Sequence, residues 1–282
     1  MRAPHVAMRM AAFLAVFAGG CDGSGDEHPS PVEPPASRHS VPSYRTIDRG
    51  PVGTVSGTVR WRGEVPAAVE VTLPDGHPCG RTRRVPSVRV GPTGGVEGAI
   101  IVLEGIHEGR LPMGGEVRFA FSDCGLSPLV AATSVGATLR FQNDEDILHN
   151  VRVVGGRESW LDVGLPTRGA STEAVARAGV HRITDDAAHP WIEAYLYVTE
   201  HPYVAVTGAD GRFTLPRVPV GSYQIRLWHP GILDGGAPSS GRPSRSAPIV
   251  LARPLAISEG NDSPTDFELD ATSVEAAGAL RP

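Results

Sequence analysis

The chain has 282 residues, enough for one or two domains with a real core, and carries a net charge of −5 on 20 % charged and 40 % apolar residues. Mild acidity and scattered arginines exclude the basic stripe of a nucleic-acid binder, so no nucleic-acid partner is expected. Gly (34) and Pro (26) are abundant but follow no three-residue period, which excludes a collagen-like rod and favours many turns.

The first residues read as an export signal. Arg2 and Arg9 supply positive charge, Met10 to Phe17 form an apolar core too short to span a bilayer, and Ala18-Gly19-Gly20 precede Cys21. Small residues directly before a cysteine resemble a bacterial lipoprotein signal, with Ala18 where that family most often has Leu. The resemblance implies that Cys21 is lipidated and that residues 1–21 are a signal. The partner would then be a membrane surface reached through a lipid anchor, in the periplasm or at the cell surface. An ordinary secreted protein with a stray thiol is the alternative. In an oxidising compartment the two remaining cysteines, Cys79 and Cys124, can pair in one way only. That loop of about 45 residues is worth roughly 4 kcal/mol in the chain-entropy picture. Two buried free thiols are the other outcome.

Residues 22–50 are rich in Pro, Ser, Gly and acids, the composition of a disordered or extended spacer. From Val52 the pattern turns to short β runs separated by Gly and Pro. Val55 to Trp61, Val69 to Leu73, Val85 to Val90 and Glu116 to Phe121 read as strands. Glu97 to Leu103 is nearly all apolar and predicts a strand buried on both faces. Leu129 to Ala132, Thr138 to Gln142 and Asn150 to Val154 follow. Residues 155–178 read as a long loop with small helical pieces, Thr172 to Ala178 among them. Val180 to Thr184 and Trp191 to Val198 are strands again. Tyr203 to Thr207, Arg212 to Leu215, Ser222 to Trp228, Pro248 to Leu251 and Thr265 to Leu269 complete the set, with an Asp210-Gly211 turn suited to positive φ. No long amphipathic helix occurs, so the expected class is all-β, one sandwich or two.

Two stretches carry resemblances. Thr207-Gly208-Ala209-Asp210-Gly211-Arg212-Phe213 with Val218-Pro219-Val220-Gly221-Ser222-Tyr223, and Gly53-Thr54-Val55-Ser56-Gly57-Thr58-Val59, resemble the transthyretin-like regulatory module attached to some carboxypeptidases. Such modules are structural or adhesive, and a carbohydrate or cell-envelope ligand is the functional alternative. Gly136 to Asp144, His149-Asn150-Val151 and His189-Pro190-Trp191 resemble the cupredoxins, over residues 95 to 200. The two together imply a cupredoxin-like β-sandwich packed with a small transthyretin-like β-sandwich. The expected order is 51–200 for the first, with strand 53–61 shared, 201–270 for the second, and a tail at 271–282.

Cupredoxins hold one copper with two His, a Cys thiolate and a weak axial Met. His149 and His189 match the two histidines. Asp186 stands where the thiolate belongs and Ile192 where the Met belongs, so no type 1 copper is expected. Two imidazoles with Asp186, or with Asp185, would make a harder set suited to one Cu(II) or Zn(II), and His181 could add a nitrogen. The competing expectation is no cofactor at all. His149 would then bond to a backbone carbonyl and His189 would pack beside Trp191. His229 reads as structural, while His77, His107 and His201 have no argued role. The chain shows no Gly-x-Ser-x-Gly elbow, His-Glu-x-x-His, phosphate loop or dinucleotide fingerprint, and Asp144/Asp146 and Asp185/Asp186 read as solvated turns. A non-enzymatic binding or structural protein with a degenerate copper site is therefore expected.

Overall fold

Ile100–Glu104 reads Ile-Ile-Val-Leu-Glu, and an apolar run without alternation is stable as a strand only when both its faces are covered. The computed structural model, which describes residues 44–47, 49–112, 114–235 and 241–273, shows both faces covered. Ile101 and Leu103 enter one apolar cluster, Ile100 and Val102 another. Full burial of each such side chain contributes about 1.5–3 kcal/mol. The signal segment with Cys21, nearly all of the 22–50 spacer and the end of the tail lie outside the described residues.

The protein is all-β, with four larger sheets and three two-stranded ribbons among the described residues. Sheet I has the order Arg212–Pro219, Val52–Trp61, Asp262–Pro264, with Phe267–Leu269 also paired to Val52–Trp61. Sheet II has the order Val204–Val206, Ile100–Glu104, Gly221–His229, Ile249–Ile257. Sheet III runs Glu158–Leu165, His149–Gly155, Gly179–Asp185, Glu193–Thr199, Val130–Ser134, and sheet IV runs Ala170–Ala174, Thr138–Asn143, Glu116–Ser122, Gly125–Ser127. One core lies between sheets I and II, through Val55, Val59, Leu215, Ile225 and Leu227. A second lies between sheets III and IV, through Phe119, Phe141, Val151, Ile183 and Leu196. The third, with Ile100, Val102, Val130 and Trp228, joins sheet II to sheet III. Glu193–Thr199 is bulky throughout because it too serves two cores: Ala194, Leu196 and Val198 face the second, Tyr195 and Tyr197 the third.

The pairing assigns strands to sandwiches in a way that chain order does not. Val52–Trp61 pairs antiparallel with Arg212–Pro219, and Ile100–Glu104 sits between Val204–Val206 and Gly221–His229. Both belong to the sandwich of the C-terminal strands. Every strand of sheets III and IV lies between residues 116 and 199. Gly57 marks how closely sheet I is packed, since a Cβ there would meet the Thr265 carbonyl oxygen at 1.9 Å.

Residues 155–178 are not the expected loop with helical pieces. Glu158–Leu165 returns against His149–Gly155 after a turn at Gly156 (φ 62°), and Ala170–Ala174 pairs with Thr138–Asn143. Both are edge strands with mostly accessible side chains; Ala170–Ala174 carries no apolar alternation, whereas Glu158–Leu165 carries one at Leu161, Val163 and Leu165, of which only Leu165 is fully buried. The expected strand at Val85 to Val90 is displaced: Thr82–Val85 pairs with Val69–Thr72, and Val90 makes only an isolated bridge to Val96. A disulfide joins Cys79 of this hairpin loop to Cys124.

Gly221–His229 ends in a histidine that is buried and neutral. Burial, then the nearby Arg245, pushes His229 down to about 3, and burial pushes His201 down to about 4. The ordinary value for both is 6.5, so between these limits the unfolded chain binds more protons than the folded one. Their contribution to stability is complete above the ordinary value and is lost as pH falls toward the depressed ones. Urea unfolding measured downward from pH 6.5 should lose up to about 1.4 kcal/mol per pH unit for each of these protons. The loss should already show above about pH 4.5, before carboxylates titrate. His229→Gln should flatten the slope, and an unchanged slope would refute the assignment.

Candidate functional site

The two histidines expected from the sequence meet at one end of sheets III and IV. His149 opens the strand His149–Gly155, Asp185 closes Gly179–Asp185, and these strands are antiparallel neighbours with Val151 opposite Asp185. His189 lies in the tight connection to Glu193–Thr199, where Ala188 takes a left-handed conformation (φ 67°). His149, Asp185 and His189 are all buried.

Asp185 holds the group together. Its Oδ2 accepts from His149 Nδ1 at 2.6 Å and from His189 Nδ1 at 2.6 Å. Its Oδ1 accepts from the Asn150 amide at 2.8 Å and the Ala187 amide at 2.9 Å. An ionised carboxylate has about four acceptor positions, and all are filled. Burial is the largest influence on Asp185 and pushes it upward, but the hydrogen bonds from His149, His189, Ala187 and Asn150 outweigh it. The carboxyl is held well below the ordinary carboxylate range.

A second carboxylate closes the other side. Glu145 Oε2 is 2.8 Å from His149 Nε2, and its Oε1 accepts from the Cys124 amide at 2.5 Å. Both ring nitrogens of His149 are therefore within hydrogen-bond distance of carboxylate oxygens, Nδ1 of Asp185 and Nε2 of Glu145. Buried Asn143 shapes the loop that presents Glu145. Its Nδ2 donates to the Ile147 and Pro166 carbonyls at 2.8 and 3.0 Å, and its Oδ1 accepts from the Glu145 amide at 2.9 Å. Phe121 stacks on His149 with ring centroids 4.0 Å apart and keeps water from the face of the imidazole. His189 packs edge-on against Trp191 at 5.3 Å and His77 at 5.6 Å, and Trp191 Nε1 donates to the Cys124 carbonyl at 2.8 Å.

Several expectations are corrected here. The carboxylate between the imidazoles is Asp185, whereas Asp186 turns outward to Arg152 at 3.4 Å and Arg242 at 3.3 Å. Strand parity decides between them, because His181, Ile183 and Asp185 share the inward face and Asp186 falls on the other. Asp185 is also no solvated turn residue, being 1 % exposed. His149 bonds to carboxylates, not to a backbone carbonyl. His181 stands about 13 Å along its strand from Asp185, at about 3.3 Å per residue. Both its nitrogens are engaged, one accepting from Trp160 Nε1 and the other donating to the Arg177 carbonyl. Glu145 and Arg242 were not among the expected residues. Arg242 donates to the Ile192 and Asp185 carbonyls at 3.0 and 3.2 Å and clamps the 185–192 connection.

The donor set decides what ion could fit. At the thiolate position Asp186 is paired with arginines, and at the axial position Ile192 is buried in the second core. The residues therefore do not fit type 1 copper. His149, Asp185 and His189 offer ligand atoms within 4.8 Å of one another, of the types that Zn(II) and Cu(II) accept. Donors in a tetrahedral zinc site lie about 3.3 Å apart, given metal–ligand bonds of about 2.0–2.1 Å. The 2.6 Å spacings here are hydrogen-bond lengths, and a cation could enter only if the Asp185 carboxylate moved away from both imidazoles.

No family model matches the chain, and no curated protein matches it. Among solved structures it is similar to a purple cupredoxin from Nitrosopumilus maritimus, at 20 % identity over 30 % of this chain and 99 % of that one, with a TM-score of 0.27. It is similar also to amicyanin from Paracoccus versutus, at 17 % identity over 30 % of this chain and 81 % of that one, TM-score 0.28. A copper-containing nitrite reductase from Thermus scotoductus SA-01 matches at 21 % identity over 32 % of this chain and 23 % of that one, TM-score 0.27. These are partial likenesses of fold and assign no ligand to this chain.

The two neighbouring aspartates should separate cleanly by mutation. Asp185→Asn replaces an acceptor oxygen by an NH2 group and leaves buried donors unsatisfied, which should cost about 1–3 kcal/mol or more in urea unfolding. Asp186→Asn removes partly exposed ion pairs and should cost about 1 kcal/mol or less. The reverse ranking would mean that Asp186 holds the site.

Proposed function

We propose that the chain is an exported, non-enzymatic binding or structural module, held at a membrane surface through Cys21. In this reading a cupredoxin-like sandwich carries a hydrogen-bonded His–Asp–His lock where a copper protein carries its ion. The observation that supports it is the saturation of Asp185, whose acceptor positions are all filled by the chain's own N–H groups. The nitrogens of His149 are likewise engaged, by Asp185 and Glu145. A site closed in this way holds strands and loops in place and offers His149 neither as a ligand nor as a base. The sandwich of the C-terminal strands is proposed as a carboxypeptidase-regulatory-like scaffold, with carbohydrate or cell-envelope adhesion as a further role for it.

A second reading has its own observation, the three nitrogen and oxygen donors within 4.8 Å. There a Zn(II) or Cu(II) ion would be held by His149, His189 and Asp185, and would replace the imidazole protons that now face the carboxylate.

The two readings part on metal content. Full chain carrying Cys21→Ser, dialysed against Zn(II) or Cu(II) and then against buffer, should retain far less than one equivalent by elemental analysis, with no change in melting temperature. One retained equivalent that disappears in His149→Ala would replace the lock with the metal site. The anchor is tested separately. Cells fed labelled palmitate should label the parent chain, and Cys21→Ser should abolish the label and move the protein to the soluble fraction. A parent that takes no label would remove the anchor from the proposal.

A further inference from the structure

The seam between sheets II and III holds a cleft of about 270 Å³ that the lock does not use. One wall is apolar, formed by Val88, Leu129 and Val206. The polar lining comes from His229, Arg245, Glu193 and Tyr195, the last packed beside Leu129 and Val206. Size and mixture are those of a site for a small molecule, near the lower end of such volumes.

The polar lining has donors to spare. His229 is 4 % exposed, and its Nδ1 accepts from the Gly231 amide at 3.2 Å. A neutral imidazole that accepts at Nδ1 carries its proton on Nε2, and that N–H has no hydrogen-bond partner among the described residues. Arg245 donates through Nε to Glu193 at 2.8 Å and through Nη1 to the Gly231 carbonyl at 3.0 Å, which leaves Nη2 without a hydrogen bond among the described residues. Glu193 pairs with Arg245 at 2.8 Å inside the cleft and with the half-exposed Arg182 at 3.5 Å outside its lining. The Tyr195 phenol stays protonated, because burial and then the adjacent Glu193 carboxylate push it up. On the far side Arg89 and Glu97 pair at 4.0 Å and offset each other.

We infer that this cleft binds a small organic carboxylate, its apolar body against Val88, Leu129 and Val206 and its oxygens at His229 Nε2 and Arg245 Nη2. Each element answers a feature of the site. The two donors without partners call for acceptor oxygens, the guanidinium nitrogen among them favours a carboxylate over a neutral acceptor, and the apolar lining calls for a hydrocarbon body. The volume limits the body to about one ring or a short chain. The inference does not depend on whether the His149 cluster is a lock or a metal site.

The test uses full chain carrying Cys21→Ser and three probes, benzoate, phenylacetate and hexanoate, with benzyl alcohol as the uncharged control. Backbone amide shifts should saturate for at least one carboxylate, with a Kd at or below about 1 mM, and should centre on Val88, Val206 and Gly231. Benzyl alcohol should bind at least about tenfold more weakly, a difference of about 1.4 kcal/mol. Arg245→Gln should weaken the carboxylate by a similar factor. Because Arg245 also pairs with Glu193, Leu129→Trp provides a second arm: it fills the cleft at a half-buried position and should abolish binding while the thermal unfolding stays cooperative. The inference is overturned if no carboxylate shifts the spectrum, if the alcohol binds as well as the acid, or if binding survives in a folded Leu129→Trp.

Discussion

A carboxylate taken out of water is costly, by several kcal/mol even after the protein relaxes around it, unless donors replace the lost hydration. Asp185 is such a group, and the end of the second sandwich is arranged around that requirement. Two of its donors are backbone amides, which fixes the start of His149–Gly155 and the turn at Ala187. The other two are imidazoles from separate segments, which fixes where the 185–192 connection passes beneath the 144–148 loop. Phe121 covers one ring, and Arg242 holds the connection from behind. Because the anion is buried, displacement of any one donor leaves unpaired charge, so the arrangement is cooperative by construction.

This explains which parts of the protein were legible in its sequence. Strands buried on one or both faces announce themselves by apolar spacing, as Ile100–Glu104 and Glu193–Thr199 do. Ala170–Ala174 does not, because an edge strand with wet side chains is held by its backbone pairing, and in Glu158–Leu165 the short alternation Leu161, Val163, Leu165 is flanked by glycines and polar residues that read as loop. His149 and His189 were visible through their flanking motifs. Spacing alone leaves Asp186 and Asp185 both open as the carboxylate, because an acidic pair beside a turn looks solvated, although counting alternate residues back from Asp185 to Ile183 and His181 sets Asp185 inward. Glu145 reaches His149 only through the loop geometry that Asn143 imposes, and no spacing rule encodes that.

The two polar clusters differ in what they leave over. At the His149 end every acceptor of Asp185 is occupied, and the neighbouring outward acid, Asp186, is paired with Arg152 and Arg242. At the seam between sheets II and III, by contrast, an imidazole N–H and one guanidinium nitrogen have no hydrogen-bond partner among the described residues. Chemical character follows from this remainder more than from residue type: histidine and carboxylate occur in both places, closed in one and open in the other. The donors of the first cluster are engaged with one another.

The doubly buried strand Ile100–Glu104 bears on the order in which the molecule can assemble. Its partners are Val204–Val206 and Gly221–His229, and Val52–Trp61 waits for Arg212–Pro219 and Phe267–Leu269. A chain emerging from its amino end therefore presents these strands long before anything exists to pair with them. The intervening 116–199 stretch contains all the strands of sheets III and IV and can condense first, a compact nucleus between two unfinished halves. Its exposed Tyr195 and Tyr197 face then gives Ile100 and Val102 a surface to collapse on while the remaining strands arrive.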